Sequence, residues 1–187
     1  MFRLFVGISL PADVRLRLAA MCSGLPGAKW IDPENMHLTL RFIGEVGGGQ
    51  AEDIDAALRR VSAPAFDLGI SGIDCFETSG KVHTLWVGVD KQPLLLRLRD
   101  KVDSALVRAG CEPERRKFKP HVTIARIRPG AQARIGSFIQ AHNRIALGPS
   151  PVEHFTLFRS HLGSEKAHYE ELAEYALETN ARPSRSA

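Results

Sequence analysis

Apolar positions along the chain recur with two periods, about 3.6 residues in some segments and two in others, so the pattern predicts both helices and strands. The clearest helical segment is 93–109, where apolar residues recur at helical spacing, Pro93 opens the helix and Gly110 ends it. Further helices are predicted over 12–22, 51–61 and 132–141. Strands are predicted over 2–8, 29–31, 36–43, 66–73, 85–89, 121–127, 152–159 and 169–177.

The order of these elements indicates a duplicated unit. Each half of the chain contains a strand, a helix, a second strand and a second helix, and such halves can face each other about a pseudo-twofold axis. We therefore expect an α+β fold of two pseudo-symmetric lobes, with antiparallel or mixed sheets around a central cleft and helices on the outside. One two-lobed domain is expected over 1–178, followed by a disordered polar tail over 179–187.

The second strand of each half carries the same short motif, a histidine and a threonine separated by one residue. The copies are His37-Leu38-Thr39 and His121-Val122-Thr123, and a third copy begins at His154. Chance alone predicts roughly 0.2 such triplets in a chain of this composition, so the repetition is informative. Because side chains two positions apart on a strand point to one face, each copy presents an imidazole and a hydroxyl together.

Two such strands facing one cleft would hold the groups needed to cleave a phosphodiester without a metal. One neutral imidazole can act as a base, one protonated imidazole as an acid, and the two hydroxyls can bind the phosphate oxygens. The charge distribution agrees with a phosphate partner. The formal net charge is +4, and basic residues lie on both sides of the second motif: Arg115, Arg116, Lys117, Lys119, Arg126 and Arg128.

Composition and cysteine usage narrow the class of protein. The chain is 44% hydrophobic and 25% charged, as is ordinary for a globular domain. Cys22, Cys75 and Cys111 are widely spaced and odd in number, which indicates reduced thiols of an intracellular protein. The apolar run over 4–10 is too short and too soon followed by charges for a signal peptide, and no segment approaches membrane-spanning length, so a cytoplasmic protein is expected.

The extended surroundings of the motifs resemble a known family. The similar blocks are the segment 4–8 (LFVGI), the segment 30–46 (WIDPENMHLTLRFIGEV), the segment 85–89 (LWVGV), the segment 118–126 (FKPHVTIAR) and the segment 155–160 (FTLFRS). In this order they resemble the ThpR/LigT-type RNA 2′,3′-cyclic phosphodiesterases of the 2H phosphoesterase superfamily. The resemblance covers nearly the whole chain.

The resemblance implies hydrolysis of a terminal 2′,3′-cyclic phosphate to a 2′-phosphate, with RNA ends or nucleotides as partners. It implies that His37 is the acid that protonates the leaving O3′ and that His121 is the base that activates water. Thr39 and Thr123 would donate hydrogen bonds to the phosphate oxygens. The residues alone leave these roles interchangeable, since the two motifs are chemically equivalent.

Four further residues are candidates for substrate binding. The resemblance implies that Phe42 and Arg126, at the fifth position after each histidine, stack on a nucleobase from both sides. That offset points away from the histidine face of a regular strand, so a bulge or strand end is required. Simple alternation instead places Arg41 on the histidine face as a phosphate contact, and Lys119 is a further candidate.

The resemblance places His154 outside the catalytic pair, because the late strand of the family is not one of its two catalytic blocks. His83, His142, His161 and His168 are interpreted as outside the site, with His83 facing solvent, and no ligand spacing for zinc is present. We expect no cofactor, no metal, no protein partner and a monomer. The alternatives are 2′-5′ RNA ligation at the same site, a non-catalytic nucleotide-binding module and, with least support, a metal-dependent phosphatase.

Overall fold

The computed structural model describes residues 1–128, 132–162 and 167–179. The helices within these ranges are α1 (Ala12–Met21), α2 (Gly48–Leu58), α3 (Pro93–Arg108) and α4 (Ile135–His142), with a short 3₁₀ turn at Pro33–Asn35. The strands are β1 (Phe2–Ser9), β2 (Ala28–Trp30), β3 (His37–Val46), β4 (Phe66–Thr78), β5 (Lys81–Val89), β6 (His121–Ile127), β7 (Ala146–Val152), β8 (His154–Leu162) and β9 (Ala167–Ala176).

These strands form one curled sheet in the order β7-β4-β5-β6-β3-β1-β8-β9, with β2 added to β6. Four strands lie on each side of the seam between β3 and β6, and neighbouring strands are antiparallel. The α+β fold with two lobes is therefore confirmed. The sheet is antiparallel rather than mixed.

The repeat predicted from the sequence is visible in the strand pairing. In each half the motif strand lies beside the strand that precedes its helix, so β3 pairs with β1 and β6 pairs with β5. The registers correspond as well, because His37 lies opposite Ser9 and His121 lies opposite Gly88. The two halves thus present their motifs from equivalent positions.

The hydrophobic core packs against one face of the two motif strands. Leu38 and Val122, the middle residues of the two motifs, are both 0% exposed. Helix α3 packs against β3 and α2 through its apolar face, which includes Leu98 and Val102. Because side chains alternate along a strand, burial of the middle residue turns the histidine and threonine of each motif to the opposite face.

One strand differs from the sequence-based expectation. Strand β7 was not predicted, because it contains Gly148, Pro149 and Pro151, which are unfavourable in a strand interior. Within the described ranges it is an edge strand whose one partner strand is β4, and proline is tolerated at a sheet edge. The expected final strand is confirmed as β9. Of the predicted tail, residues 180–187 lie outside the described residues.

None of the helices in the described ranges is both long and apolar enough to cross a bilayer.

Candidate active site

A cleft of about 620 Å³ opens where the two lobes meet. It is lined by both motif histidines and threonines, His37, Thr39, His121 and Thr123, and by Arg3, Leu4, Phe5, Ile31, Asn35, Phe42, Gly44, Phe76, His83, Thr84, Arg116, Arg126, Ser160 and Tyr169. The structure therefore brings the two predicted His-x-Thr pairs into one site.

Both histidines are held in the same tautomer by the backbone. The Nδ1–H of His37 donates to the carbonyl of Asn35 at 2.7 Å, and that of His121 donates to the carbonyl of Lys119 at 2.7 Å. Since a carbonyl oxygen can only accept, each Nδ1 carries a hydrogen, and each Nε2 is the atom that gains or loses a proton. The Nε2 of His37 lies 3.0 Å from the Thr39 hydroxyl.

Aromatic packing keeps His37 neutral. Phe5 stacks on the imidazole with ring centroids 4.7 Å apart, and Phe158 and Tyr169 lie 5.7 and 5.1 Å away. Burial lowers the pKa of His37 to about 4, the hydrogen bond to Asn35 acts in the opposite direction, and the charge of His121 lowers the value further. The free protein therefore holds His37 unprotonated at neutral pH.

His121 lies in a more polar environment. The edges of Phe76 and Trp86 pack against its ring with centroids 4.9 and 5.7 Å apart. Burial lowers its pKa, the hydrogen bond to Lys119 raises it, and the positive charges of Arg126 and Lys119 lower it again. The pKa of each histidine is thus lowered, which favours the neutral imidazole in the free protein.

A bulge in each motif strand turns the fifth residue after the histidine into the cleft. The register shifts within 39–41 on β3 and within 123–125 on β6, so the two motifs carry the irregularity at the same offset. The extra residue in each strand reverses the alternation of side chains, so that Phe42 and Arg126 point into the cleft, where both are exposed. The requirement for a bulge is confirmed.

Each of these two side chains rests on its cross-strand partner. Phe5 lies opposite Phe42, with ring centroids 6.0 Å apart. Thr84 lies opposite Arg126 and accepts a hydrogen bond of 2.7 Å from its Nη1. Equivalent positions of the two halves therefore support an aromatic ring on one wall of the cleft and a guanidinium on the other.

The prediction that Arg41 contacts phosphate is wrong, because the same bulge turns its side chain into the protein. Its guanidinium donates to Asp103 at 2.6 Å and to the carbonyls of Phe42 and Glu112, and it lies 3.8 Å from Glu114. Arg41 is 9% exposed and does not line the cleft. It ties β3 to α3 and to the loop that precedes β6.

Lys119 supports His121 through its backbone rather than through its charge. Its ammonium lies 4.2 Å from the ring centroid of Trp86 and 3.5 Å from Asp74, and its side chain does not line the cleft. The predicted role of its side chain as a phosphate contact therefore has no counterpart in this geometry.

The remaining histidines divide differently from the prediction. His83 is exposed, as predicted, but it also lines the cleft, and its Nδ1 lies 3.0 Å from the Thr84 hydroxyl, so the interpretation that it lies outside the site was wrong. His154 does not line the cleft and pairs with Glu174 at 3.2 Å. The threonine of that third triplet, Thr156, is fully buried.

Several residues of the site were not singled out from the sequence. Phe5 lies in the segment 4–8 that resembles the family, but the sequence assigned it no role. Thr84 and Tyr169 lie far from either motif in sequence and reach the cleft from β5 and β9. Arg116 belonged to the basic run, and its position in that run could have identified it. The described residues contain no cluster of three or more histidines, cysteines, aspartates or glutamates that could hold a metal ion.

Two His-x-Thr pairs facing one cleft on a two-lobed antiparallel sheet define the 2H phosphoesterase class. The sequence matches the model of the 2′-5′ RNA ligase superfamily over residues 10–164, which is most of the chain, and the protein therefore belongs to that superfamily.

Relatives of known name agree with this assignment. The chain is 28% identical over 173 residues to an Archaeoglobus fulgidus protein named RNA 2′,3′-cyclic phosphodiesterase, covering 91% of this chain and 97% of the relative. It is 33% identical over 132 residues to a Thermotoga maritima protein of the same name, covering 67% of this chain and 70% of that one. The crystal structure of E. coli LigT in complex with 3′-AMP superimposes with a TM-score of 0.74 at 26% identity, covering 94% of this chain and 98% of that one.

Proposed function

We propose that the protein hydrolyses the 2′,3′-cyclic phosphate at an RNA end to a 2′-phosphate, without a metal or cofactor. The observation that carries this proposal is the pair of histidines with Nδ1 fixed by a carbonyl, brought into one cleft from equivalent positions of the two lobes. The names of the relatives in Archaeoglobus fulgidus and Thermotoga maritima support the same substrate.

The proposed reaction is an in-line displacement at phosphorus. The Nε2 of His121 accepts a proton from water as its oxygen forms a bond to phosphorus, and the bond from phosphorus to O3′ breaks. The Nε2–H of His37 gives its proton to the departing O3′. The products are a 3′-hydroxyl and a 2′-phosphate, and the two histidines end with their protons exchanged. Attack and departure occur on opposite sides of phosphorus, which suits an acid and a base on opposite walls.

The substrate itself supplies the charge that His37 lacks in the free protein. A cyclic phosphodiester carries one negative charge, and an anion beside an imidazole favours the protonated form. His37 therefore gains its proton as the substrate binds. The protonated, acidic form of His37 is therefore present when the substrate and its leaving O3′ are bound.

Protonation of His37 also releases the Thr39 hydroxyl. In the free protein that hydroxyl donates to the neutral Nε2, whereas a protonated Nε2 has no lone pair to accept it. Thr39 can then donate to a phosphate oxygen, together with Thr123 on the other wall. Loss of one such donor is expected to cost about 2–4 kcal/mol of transition-state stabilisation.

The terminal nucleobase is proposed to lie between Phe42 and Arg126. An aromatic ring and a guanidinium plane both stack on bases without reading their edges, at about 1–3 kcal/mol per base. Both side chains are held by partners on the neighbouring strands, Phe5 and Thr84. This arrangement favours recognition of an RNA end with little preference for its base.

The test is the conversion of an oligoribonucleotide that ends in a 2′,3′-cyclic phosphate, carried out in EDTA. We expect a product one water heavier than the substrate whose phosphate is identified as a 2′-monoester, because the bond to O3′ is the one that breaks. A 3′-phosphate product would overturn the assignment of the leaving group. Absence of turnover, or turnover that stops in EDTA and returns with added metal, would overturn the proposed chemistry.

A further inference from the structure

Arg116 lies at the mouth of the cleft, in the loop that leads from α3 to the second motif. It lines the same cavity as His121 and Thr123, yet the proposed reaction gives it no task. Its side chain is 76% exposed. An exposed arginine side chain is ordinarily mobile, but the side chain of Arg116 is fixed by hydrogen bonds.

Glu114 fixes the Arg116 guanidinium with both of its carboxylate oxygens. Nε of Arg116 donates to Oε1 at 3.1 Å, Nη2 donates to Oε2 at 2.8 Å, and the backbone N–H of Arg116 donates to Oε1 at 3.0 Å. These hydrogen bonds hold the pKa of Glu114 at about 2, so its carboxylate stays charged throughout the neutral range. A paired geometry of this kind fixes the plane of the guanidinium.

Glu114 is itself attached to the interior of the protein. It is 16% exposed and lies 3.8 Å from Nη1 of the buried Arg41. Arg41 is in turn anchored on Asp103 of α3 at 2.6 Å and on the backbone of Glu112. A chain of paired groups therefore connects the core to Arg116, which lines the cleft and has N–H groups that Glu114 does not use.

The rim of the cleft carries positive charge. Its arginines are Arg3, Arg116 and Arg126, and the described residues that line it include no aspartate or glutamate. Such a rim attracts anions. The reacting phosphate is already bound by the histidines and threonines, and Arg126 is assigned to the base. A fixed guanidinium at the mouth is therefore suited to a second phosphate.

We propose that Arg116 binds the phosphodiester on the 5′ side of the terminal nucleotide, so that the enzyme prefers an RNA chain ending in a cyclic phosphate to a cyclic mononucleotide. This inference rests on the proposed function. A cyclic mononucleotide has only the reacting phosphate, whereas a chain places a second phosphate one nucleotide unit away. Arg116 is the arginine at the mouth whose guanidinium plane is fixed by a carboxylate.

The test compares two substrates of the same terminal base, a 2′,3′-cyclic mononucleotide and a trinucleotide ending in the same cyclic phosphate. Substitution Arg116→Gln is expected to lower the trinucleotide-to-mononucleotide ratio of kcat/KM by about three- to tenfold, as an exposed charged contact does. The loss is expected in KM and to shrink as salt is added, since phosphate contacts release counterions. Glu114→Gln, which loosens the guanidinium, is expected to lower the same ratio by less.

Arg115→Gln is the matched control. Arg115 is exposed, belongs to the same basic run and does not line the cleft, so its substitution is expected to leave the ratio unchanged. An equal effect of Arg115→Gln and Arg116→Gln would overturn the subsite, because it would show a general effect of charge. A change of the ratio in Arg3→Gln but not in Arg116→Gln would also overturn it, because the chain would then follow the opposite rim.

Failure of this inference is distinguishable from failure of the proposed function. If the unmodified protein hydrolyses both substrates and Arg116→Gln changes them alike, the chain subsite is overturned and the phosphodiesterase stands. If the unmodified protein hydrolyses neither substrate, the proposed function is overturned and the subsite with it.

Discussion

Leu38 and Val122 are antiparallel partners at the seam between the lobes, and each is the middle residue of a His-x-Thr motif. Both side chains are buried in the core, so the flanking histidines and threonines face the cleft. In this register His37 lies on the side of Thr123, and Thr39 lies on the side of His121. One buried pair therefore sets the relative positions of the four side chains that we propose take part in the reaction.

Gly7 lets β1 lie close to the backbone of β3 beside His37. A Cβ at this position would lie 2.9 Å from the Leu38 carbonyl and 3.4 Å from both Cδ2 of His37 and Cε2 of Phe158. We therefore expect Gly7→Ala to push the β3 backbone away at Leu38 and so to shift the adjacent His37, which should lower kcat by at least about tenfold, since small misplacements of a reacting group are costly.

The control for Gly7→Ala is Gly136→Ala in α4, where a Cβ would meet nothing within 4 Å. Steady-state kinetics on a cyclic-phosphate oligonucleotide, with circular dichroism to confirm folding, makes the comparison. Equal kcat values for the two folded variants would contradict the role assigned to Gly7.

Thr84 is expected to position Arg126 through its hydroxyl. Thr84→Val keeps the shape of the side chain but removes the acceptor of the 2.7 Å hydrogen bond, so KM should rise about three- to tenfold with little change in kcat. Thr84→Ser should restore KM. Thr156→Val is the matched control, because Thr156 is also buried and its hydroxyl has no partner in the part of the chain that the structure describes. A fall in kcat at constant KM would refute a positioning role.

The pH dependence of kcat/KM should reflect the lowered pKa of both histidines. The active free protein carries one proton on the pair, and a lowered pKa means that this proton is lost on rising pH below the ordinary value of about 6.5. We therefore expect a bell-shaped profile of kcat/KM with its maximum below pH 6.5. In kcat, the basic limb should lie at higher pH, because the bound anion raises both pKa values. A maximum of kcat/KM above pH 7 would count against the pair.

The stability of the protein should fall in acid partly because of His37. Its folded pKa of about 4 is below the unfolded value of 6.5, so between these values the unfolded chain binds a proton that the folded protein does not. Acidification through this window therefore costs about 3 kcal/mol of the free energy of unfolding.

Urea denaturation at pH 7 and pH 4 measures this cost. His37→Gln should lose less stability across the window than the unmodified protein, whereas His154→Gln, which alters a partly exposed histidine, should lose as much as the unmodified protein. The same pH dependence in His37→Gln and the unmodified protein would contradict the assignment.

The repeated motif predicted the two His-x-Thr pairs that line the cleft. Sequence periodicity predicted the helices and most strands, because burial on one face of an element imposes that period. It failed where the backbone departs from regularity. Simple alternation placed Arg41 in the cleft, but one extra residue in β3 turns Arg41 inward and Phe42 outward. The same bulge at the same offset in β6 shows that the irregularity belongs to the repeat.

Other residues of the site could not be predicted from the motifs, because strand pairing in the folded sheet brings them to the cleft from distant parts of the sequence. Thr84 and His83 reach Arg126 and the cleft across the pairing of β5 with β6, and Tyr169 reaches His37 from β9. Side chains that meet only through the strand order leave no pattern in a single sequence. Strand β7 could not be predicted for a local reason, because its two prolines are unfavourable in a strand interior.

The central claim is that His37 and His121 act as one acid–base pair, and single-turnover hydrolysis of a cyclic-phosphate oligonucleotide in EDTA tests it most directly. His37→Ala and His121→Ala should each slow the chemical step by about 100- to 10,000-fold, and His154→Ala should not slow it. The double substitution should cost little more than either single one, because the two groups act together. Turnover at the unmodified rate in either His37→Ala or His121→Ala would contradict the account.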